Sequence, residues 1–258
     1  MMKRLRNIAA VVAPLISVMP IAVGAGHLPE GFVHLRDFAP SIRQDMRYFG
    51  NHNFIGRPID GYLAPECILT RPAAEALAAV QEDVAADGLR VKVFDCFRPR
   101  QAVSHFVRWS QDTADQPMKT EFYPNVDKSD FFRLGYVAER SGHSRGSTVD
   151  LILEPADAGP MSTEAGGDRP LVACTAPLAE RFPDSPLDFG TGFDCMDPRS
   201  HPDNTEVPPA AQANRAKLTR VMERHGFRGL PEEWWHFTLV AEPFPDTYFD
   251  FPVNAPTE

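Results

Sequence analysis

Apolar residues recur along this chain with two periods, and each period predicts a different element. Over Arg71 to Asp87, Ala73, Leu77, Val80 and Val84 share one face at helical spacing, with Pro72 in the first turn and Gly88 beyond the end; this predicts a helix. Leu89 to Phe94 alternates apolar and polar, as a half-buried strand does. Further helices are expected over Gln101 to Gln111 and over Asn214 to His225, the latter striped by Leu218, Val221 and Met222 and stopped by Gly226. Ser147 to Leu153 predicts a strand in which Val149, Leu151 and Leu153 oppose Thr148, Asp150 and Ile152, so Asp150 faces away from the apolar row. Trp234 to Val240, rich in aromatic and β-branched residues, predicts a late strand. Residues 27–66 read as loops with short strands, whereas 154–200 has neither period. A connection that long is functional or pinned by a disulfide. Helices and strands intermix without a βαβ rhythm, which predicts an α+β fold with a central antiparallel sheet flanked by helices.

The ends and the composition narrow the function classes. Met1 to Arg6 carries Lys3, Arg4 and Arg6, Ile8 to Val23 is almost wholly apolar, and Val23-Gly24-Ala25 offers small residues for cleavage. This is the layout of an export signal over residues 1–25, leaving one domain over 26–258. Pro14 and Pro20 break the apolar run and argue against a membrane-spanning helix. The mature protein is therefore expected to be periplasmic or secreted, with no membrane span. Loss of the signal moves the formal net charge from −9 to −12, a poor balance for nucleic acid or anionic lipid. Cys67, Cys96, Cys174 and Cys195 form no Cys-x-x-Cys pair. In an oxidising compartment they suggest two disulfides, with three pairings open.

Chemistry concentrates in Ser141-Gly142-His143-Ser144-Arg145-Gly146-Ser147-Thr148-Val149-Asp150 and in Glu233-Trp234-Trp235-His236. His143, Asp150 and His236 supply two imidazoles and a carboxylate, the ligand set of a catalytic zinc with one position open for water. Glu233 is the candidate base. In a regular strand residues three apart face opposite ways, so Glu233 is expected in the turn after Pro231, curling back toward the metal. The remaining histidines (His27, His34, His52, His105, His201 and His225) are assigned structural roles.

These motifs resemble the VanX-type D-alanyl-D-alanine dipeptidases among the zinc D-Ala-D-Ala peptidases. The likeness extends through Asp95-Cys96-Phe97-Arg98-Pro99, Tyr123-Pro124-Asn125-Val126-Asp127, Gly135-Tyr136-Val137-Ala138, Ala213-Asn214-Arg215 and Tyr248-Phe249-Asp250-Phe251-Pro252, from about residue 40 to 253. It implies one Zn²⁺ on His143, Asp150 and His236, Glu233 as general base, and Arg98 as the stabiliser of oxyanion charge. It also implies that Asp194, Ser141 and Tyr48 hold the free amine of a dipeptide. The four cysteines look like those of exported relatives, and the expected pairing is Cys67–Cys96 and Cys174–Cys195. Two departures stand out. Resistance-type relatives work in the cytoplasm, and the stretch from Asp150 to Asp194 is longer here than in compact members.

The expected function is hydrolysis of D-Ala-D-Ala or similar dipeptides in cell-wall metabolism, with a small dipeptide as substrate and the oligomeric state left open. A D,D-carboxypeptidase acting on longer peptidoglycan stems is the alternative with the same centre. A non-catalytic peptidoglycan or metal binder is the alternative from another class, and it has no use for Glu233 and Arg98.

Overall fold

Two of the expected helices, over Arg71–Ala85 and Pro209–Arg224, pack their apolar stripes on one side of a five-stranded sheet. In the computed structural model, which describes residues 27–159 and 170–256, the elements begin with β1 (Phe32–His34), α1 (Leu35–Phe38), β2 (Arg43–Gln44), β3 (Ile68–Thr70), α2 (Arg71–Ala85) and β4 (Leu89–Asp95). They continue with α3 (Arg100–Gln111), α4 (Lys119–Phe122), α5 (Phe131–Leu134), β5 (Thr148–Pro155), α6 (Pro209–Arg224), β6 (Phe227–Leu230) and β7 (Glu233–Leu239). The export signal expected over residues 1–25 lies outside the described residues.

The main sheet has the order β2-β4-β5-β7-β6, and β1 pairs with β3 in a separate ribbon. Each neighbouring pair among β4, β5, β7 and β6 is antiparallel, but β2 runs parallel to β4. The sheet is therefore mixed, not purely antiparallel as expected. The cause is the α2 crossover between β2 and β4, which returns the chain in its original direction. A two-residue strand carries too little pattern to reveal this.

Helix α2 buries Ala73, Ala74, Leu77, Val80 and Val84 against β4 and α6. Leu218, Val221 and Met222 of α6 join that core beside Val91, Val93, Val149 and Leu151. Helix α6 begins five residues before the expected Asn214, because Pro209 suits a first helical turn in which its missing N–H has no partner to lose. β6, which had no sequence signal of its own, forms a hairpin with β7.

β4 and β5 are not half-buried as their alternation suggested: Lys92 and Glu154 are as buried as Val91 and Leu153. The segment around 184–193 covers their second face. Ser185 donates to the Leu153 carbonyl, Phe193 stacks on Phe94, and Lys92 donates to the Asp184 carbonyl. The polar row of each strand is thus buried among ion pairs, with Arg90 at 2.6 Å and Arg43 at 3.2 Å from Glu154. A second, aromatic cluster under α3 joins Tyr48, Phe54, Phe106, Trp109 and Phe131.

Both disulfides have the expected pairing. Cys67–Cys96 ties the start of β3 to the end of β4, and Cys174–Cys195 closes part of the long connection. Closing loops of these lengths contributes about 3–4 kcal/mol each in the chain-entropy model. Replacing Cys67 and Cys96 together by Ser should lower the unfolding free energy by about that amount in denaturant titration. Non-reducing peptide maps of the oxidised protein should show these two linkages and no crossed pair.

Candidate active site

Strand register builds the site. β4 pairs with β5 so that Asp95 opposes Asp150, and β5 pairs with β7 so that Asp150 opposes His236. Directly opposed residues share a face, so the three side chains form one row across the sheet. Two irregularities complete it. The register of β4 slips between Val93 and Asp95, which turns Asp95 away from the face of Val91 and Val93. On β7, Leu230 opposes Glu233 whereas Gly229 opposes Phe237, so residues 234–236 form a bulge on the β6 side while His236 keeps its pairing with β5. Glu233 therefore opens strand β7 instead of lying in the preceding turn as expected, and the bulge brings it to the side of His236.

His143 arrives from the 3-10 turn Gly142–Arg145. The Ser141 hydroxyl caps that turn by accepting from the His143 backbone N–H at 3.3 Å. Gly146 closes it at φ +83°, where any side chain would be strained and would run into the Phe32 ring. The His143 Nδ1–H donates to the Cys96 carbonyl at 2.7 Å, which leaves Nε2 with its lone pair toward the row.

The three groups that could hold a metal meet closely. His143 Nε2 lies 3.3 Å from Asp150 Oδ2 and 3.2 Å from His236 Nδ1, and His236 Nδ1 lies 3.1 Å from Asp150 Oδ1. Asp150 Oδ1 is buried yet accepts no hydrogen bond. A buried carboxylate oxygen left in this state is costly, and a cation at the convergence point would satisfy it. Two imidazole nitrogens and one carboxylate fit zinc. The charges agree: burial alone would raise Asp150, but His143 and His236 hold its carboxyl well below the usual range. Burial would lower His236, but Asp150 and Glu233 outweigh it and lift the ring to about 9. No other cluster of this kind occurs among the described residues.

The row opens into a cavity of about 260 Å³, whose lining includes Tyr48, Arg98, Ser141, Asp194 and Glu233. Glu233 Oε2 lies 3.4 Å from His236 Nδ1. Arg98 donates from Nε to Asp95 at 2.9 Å, lies 3.6 Å from Asp150, and packs over the Tyr48 and Phe106 rings. Asp194 takes up a left-handed backbone at φ 58° and accepts from the Tyr48 hydroxyl at 2.9 Å. Burial, reinforced by Asp150 and Glu233, pushes its carboxyl well above the usual range, and no Lys or Arg among the described residues forms an ion pair with it. Every residue expected at the site except His143 thus lines one cavity, and the fully buried His143 meets two of the lining residues, Asp150 and His236. A family model described as D-ala-D-ala dipeptidase matches residues 29–168 and 181–254. The chain belongs to this family of M15 peptidases.

The D-alanyl-D-alanine dipeptidase of Streptomyces coelicolor is 40% identical over 86% of this chain and 98% of its own length. That of Enterococcus faecalis is 36% identical over 88% of this chain and its full length, and that of Enterococcus faecium 34% over 87% and 98%.

Asp95 was not singled out from the sequence. It is fully buried, accepts from the Tyr62 hydroxyl at 2.6 Å and from Arg98, and lies 3.4 Å from His143 Nδ1. It thus links the arginine to a candidate ligand. The available signal was a carboxylate ending an apolar strand three residues before Arg98. Regular alternation, however, would have turned it into the core. Asp95→Asn should weaken zinc affinity by about 10- to 100-fold, read by competition with a chelating dye. Unchanged affinity would limit Asp95 to folding.

Proposed function

We propose that this chain is an exported zinc dipeptidase that hydrolyses D-alanyl-D-alanine to free D-alanine. The observation that carries the reading is the meeting of a metal-capable triad and a buried, cation-free carboxylate, Asp194, in one small cavity. Its volume of about 260 Å³ falls below the roughly 300–1,000 Å³ of sites for drug-sized ligands.

His143, Asp150 and His236 would hold the ion. When bound, zinc supplies Lewis-acid polarisation of the scissile carbonyl and makes water acidic enough to attack near neutral pH. Glu233 stands at the edge of the triad, where it takes a proton from the attacking water and returns it to the leaving amine. Arg98 already has Nε committed to Asp95, so its terminal nitrogens are oriented to meet charge developing on the carbonyl oxygen. Asp194, bonded to Tyr48 and sharing the cavity with Ser141, receives the substrate ammonium. A buried carboxylate gains most from a cation that arrives with the ligand, which makes a free amino terminus part of recognition.

Asp194, Cys195 and Met196 wall the amine end of this cavity, and the Cys174–Cys195 bridge anchors that wall. This favours a dipeptide over the longer stem of a carboxypeptidase substrate. A pure binder would need neither Glu233 nor Arg98. The charged-then-apolar start of the chain and the two disulfides support export to the periplasm or beyond, where wall-derived dipeptides occur.

Glu233→Gln keeps the size of the side chain but removes its basicity, so kcat should fall by roughly 10²–10⁴-fold with zinc retained. A near-normal rate would move the base to Glu232. His143→Ala, Asp150→Ala and His236→Ala should each purify depleted of zinc by elemental analysis, and full occupancy in any one would remove that residue from the ligand set. N-acetyl-D-Ala-D-Ala should be a poor substrate beside D-Ala-D-Ala when D-alanine release is measured. Efficient cleavage of it would favour the carboxypeptidase.

A further inference from the structure

The polar face of the sheet holds a second buried ionic group, separate from the metal triad and centred on Arg47. Its NH2 nitrogen donates to Asp184 Oδ1 at 2.6 Å and to Asp45 Oδ2 at 3.0 Å. Its NH1 nitrogen lies 3.1 Å from His52 Nδ1, and His52 Nε2 lies 2.7 Å from Glu121 Oε1. Glu121 accepts the Nε2 proton, so Nδ1 is the acceptor for the guanidinium. The guanidinium carbon also sits 4.7 Å from the Phe94 ring centre, 5.1 Å from Phe182 and 5.9 Å from Phe193.

Asp184 carries this group to the substrate cavity. While Oδ1 takes the arginine, Oδ2 accepts from the Phe193 backbone N–H at 2.9 Å. Phe193 immediately precedes Asp194, whose left-handed backbone is an unfavourable conformation for a residue with a side chain. Such a conformation persists where its surroundings over-determine it. Here the Phe193 N–H is held by Asp184, its ring stacks on Phe94, and Cys195 is bridged to Cys174.

We infer that Arg47 and Asp184 are positioning residues for amine recognition, fixing the backbone at Phe193 and so aiming the Asp194 carboxylate into the cavity. The inference rests on the proposed role of Asp194 as receiver of the substrate ammonium. Only a carboxylate can serve both donors, since an amide in its place must turn an NH2 group toward either Arg47 or the Phe193 N–H. Burying Arg47 is offset by two carboxylates, and removing one leaves a buried cation partly unpaired.

The test compares the zinc-loaded wild type with Asp184→Asn, Arg47→Lys and Asp194→Asn on two substrates, D-Ala-D-Ala and propionyl-D-alanine, which has the same skeleton without the amine. Asp184→Asn should raise KM for D-Ala-D-Ala by about 10- to 100-fold while kcat changes by less than about threefold. Zinc content should be unchanged, and discrimination against propionyl-D-alanine should fall toward that of Asp194→Asn. Arg47→Lys keeps the charge but loses the fork, so it should shift KM in the same direction by less. It decides by the same criteria if Asp184→Asn does not fold. Wild-type KM and discrimination in the Asp184 variant would overturn the inference, as would a loss confined to kcat and zinc. If Asp194→Asn raises KM and Asp184→Asn does not, the positioning role alone falls. If Asp194→Asn leaves KM unchanged, the amine-recognition reading falls and takes the inference with it.

Discussion

Pairing of β4, β5 and β7 sets Asp95, Asp150 and His236 side by side on one face of the sheet, and every other part of the site is placed against that row. Sheet register is all-or-none. A slip of one residue in β5 would send Asp150 into the core and bring Val149 or Leu151 to the cavity. The apolar row of β5, packed against α2 and α6, therefore fixes the position of a candidate metal-binding carboxylate by fixing its neighbours. Packing and chemistry are read from alternate residues of the same strand.

The row carries an electrostatic cost that shapes its surroundings. Two fully buried carboxylates directly opposed across strands repel each other. The offset comes from Arg98 and Tyr62 on Asp95, from His143 between the two, and from whatever cation the triad accepts. A divalent ion is thus favoured by charge as well as by ligand type. The Cys96 carbonyl orients His143, and Cys96 is itself bridged to Cys67. One covalent link thereby serves both the fold and the ring orientation that a metal would need.

Much of this was legible in the sequence because it rested on period and spacing. Helices α2 and α6 and strands β4 and β5 followed from apolar recurrence, β7 from its aromatic and β-branched content, and His143, Asp150 and His236 from ligand type. What escaped depended on departures from regularity. A two-residue strand such as β2 has no period, so its parallel pairing was invisible. The bulges at Asp95 and at 234–236 invert the facing that alternation implies, which hid Asp95 and misplaced Glu233 in a turn. The buried polar face of β4 and β5 looked like a solvated one, because its cover comes from an aperiodic segment far along the chain. Arg47 and Asp184 had no signal for the same reason: 137 residues separate them, and only the folded chain joins them.

The sheet row and the His143 turn bring two imidazoles and a carboxylate together as a candidate zinc centre. X-ray absorption at the zinc edge of the loaded protein tests it most directly. The expected spectrum shows two histidine nitrogens at about 2.0–2.1 Å with imidazole outer-shell scattering, and the remaining neighbours as oxygen at about 2.0–2.2 Å. A sulfur shell near 2.3 Å, or an all-oxygen shell without imidazole scattering, would contradict it.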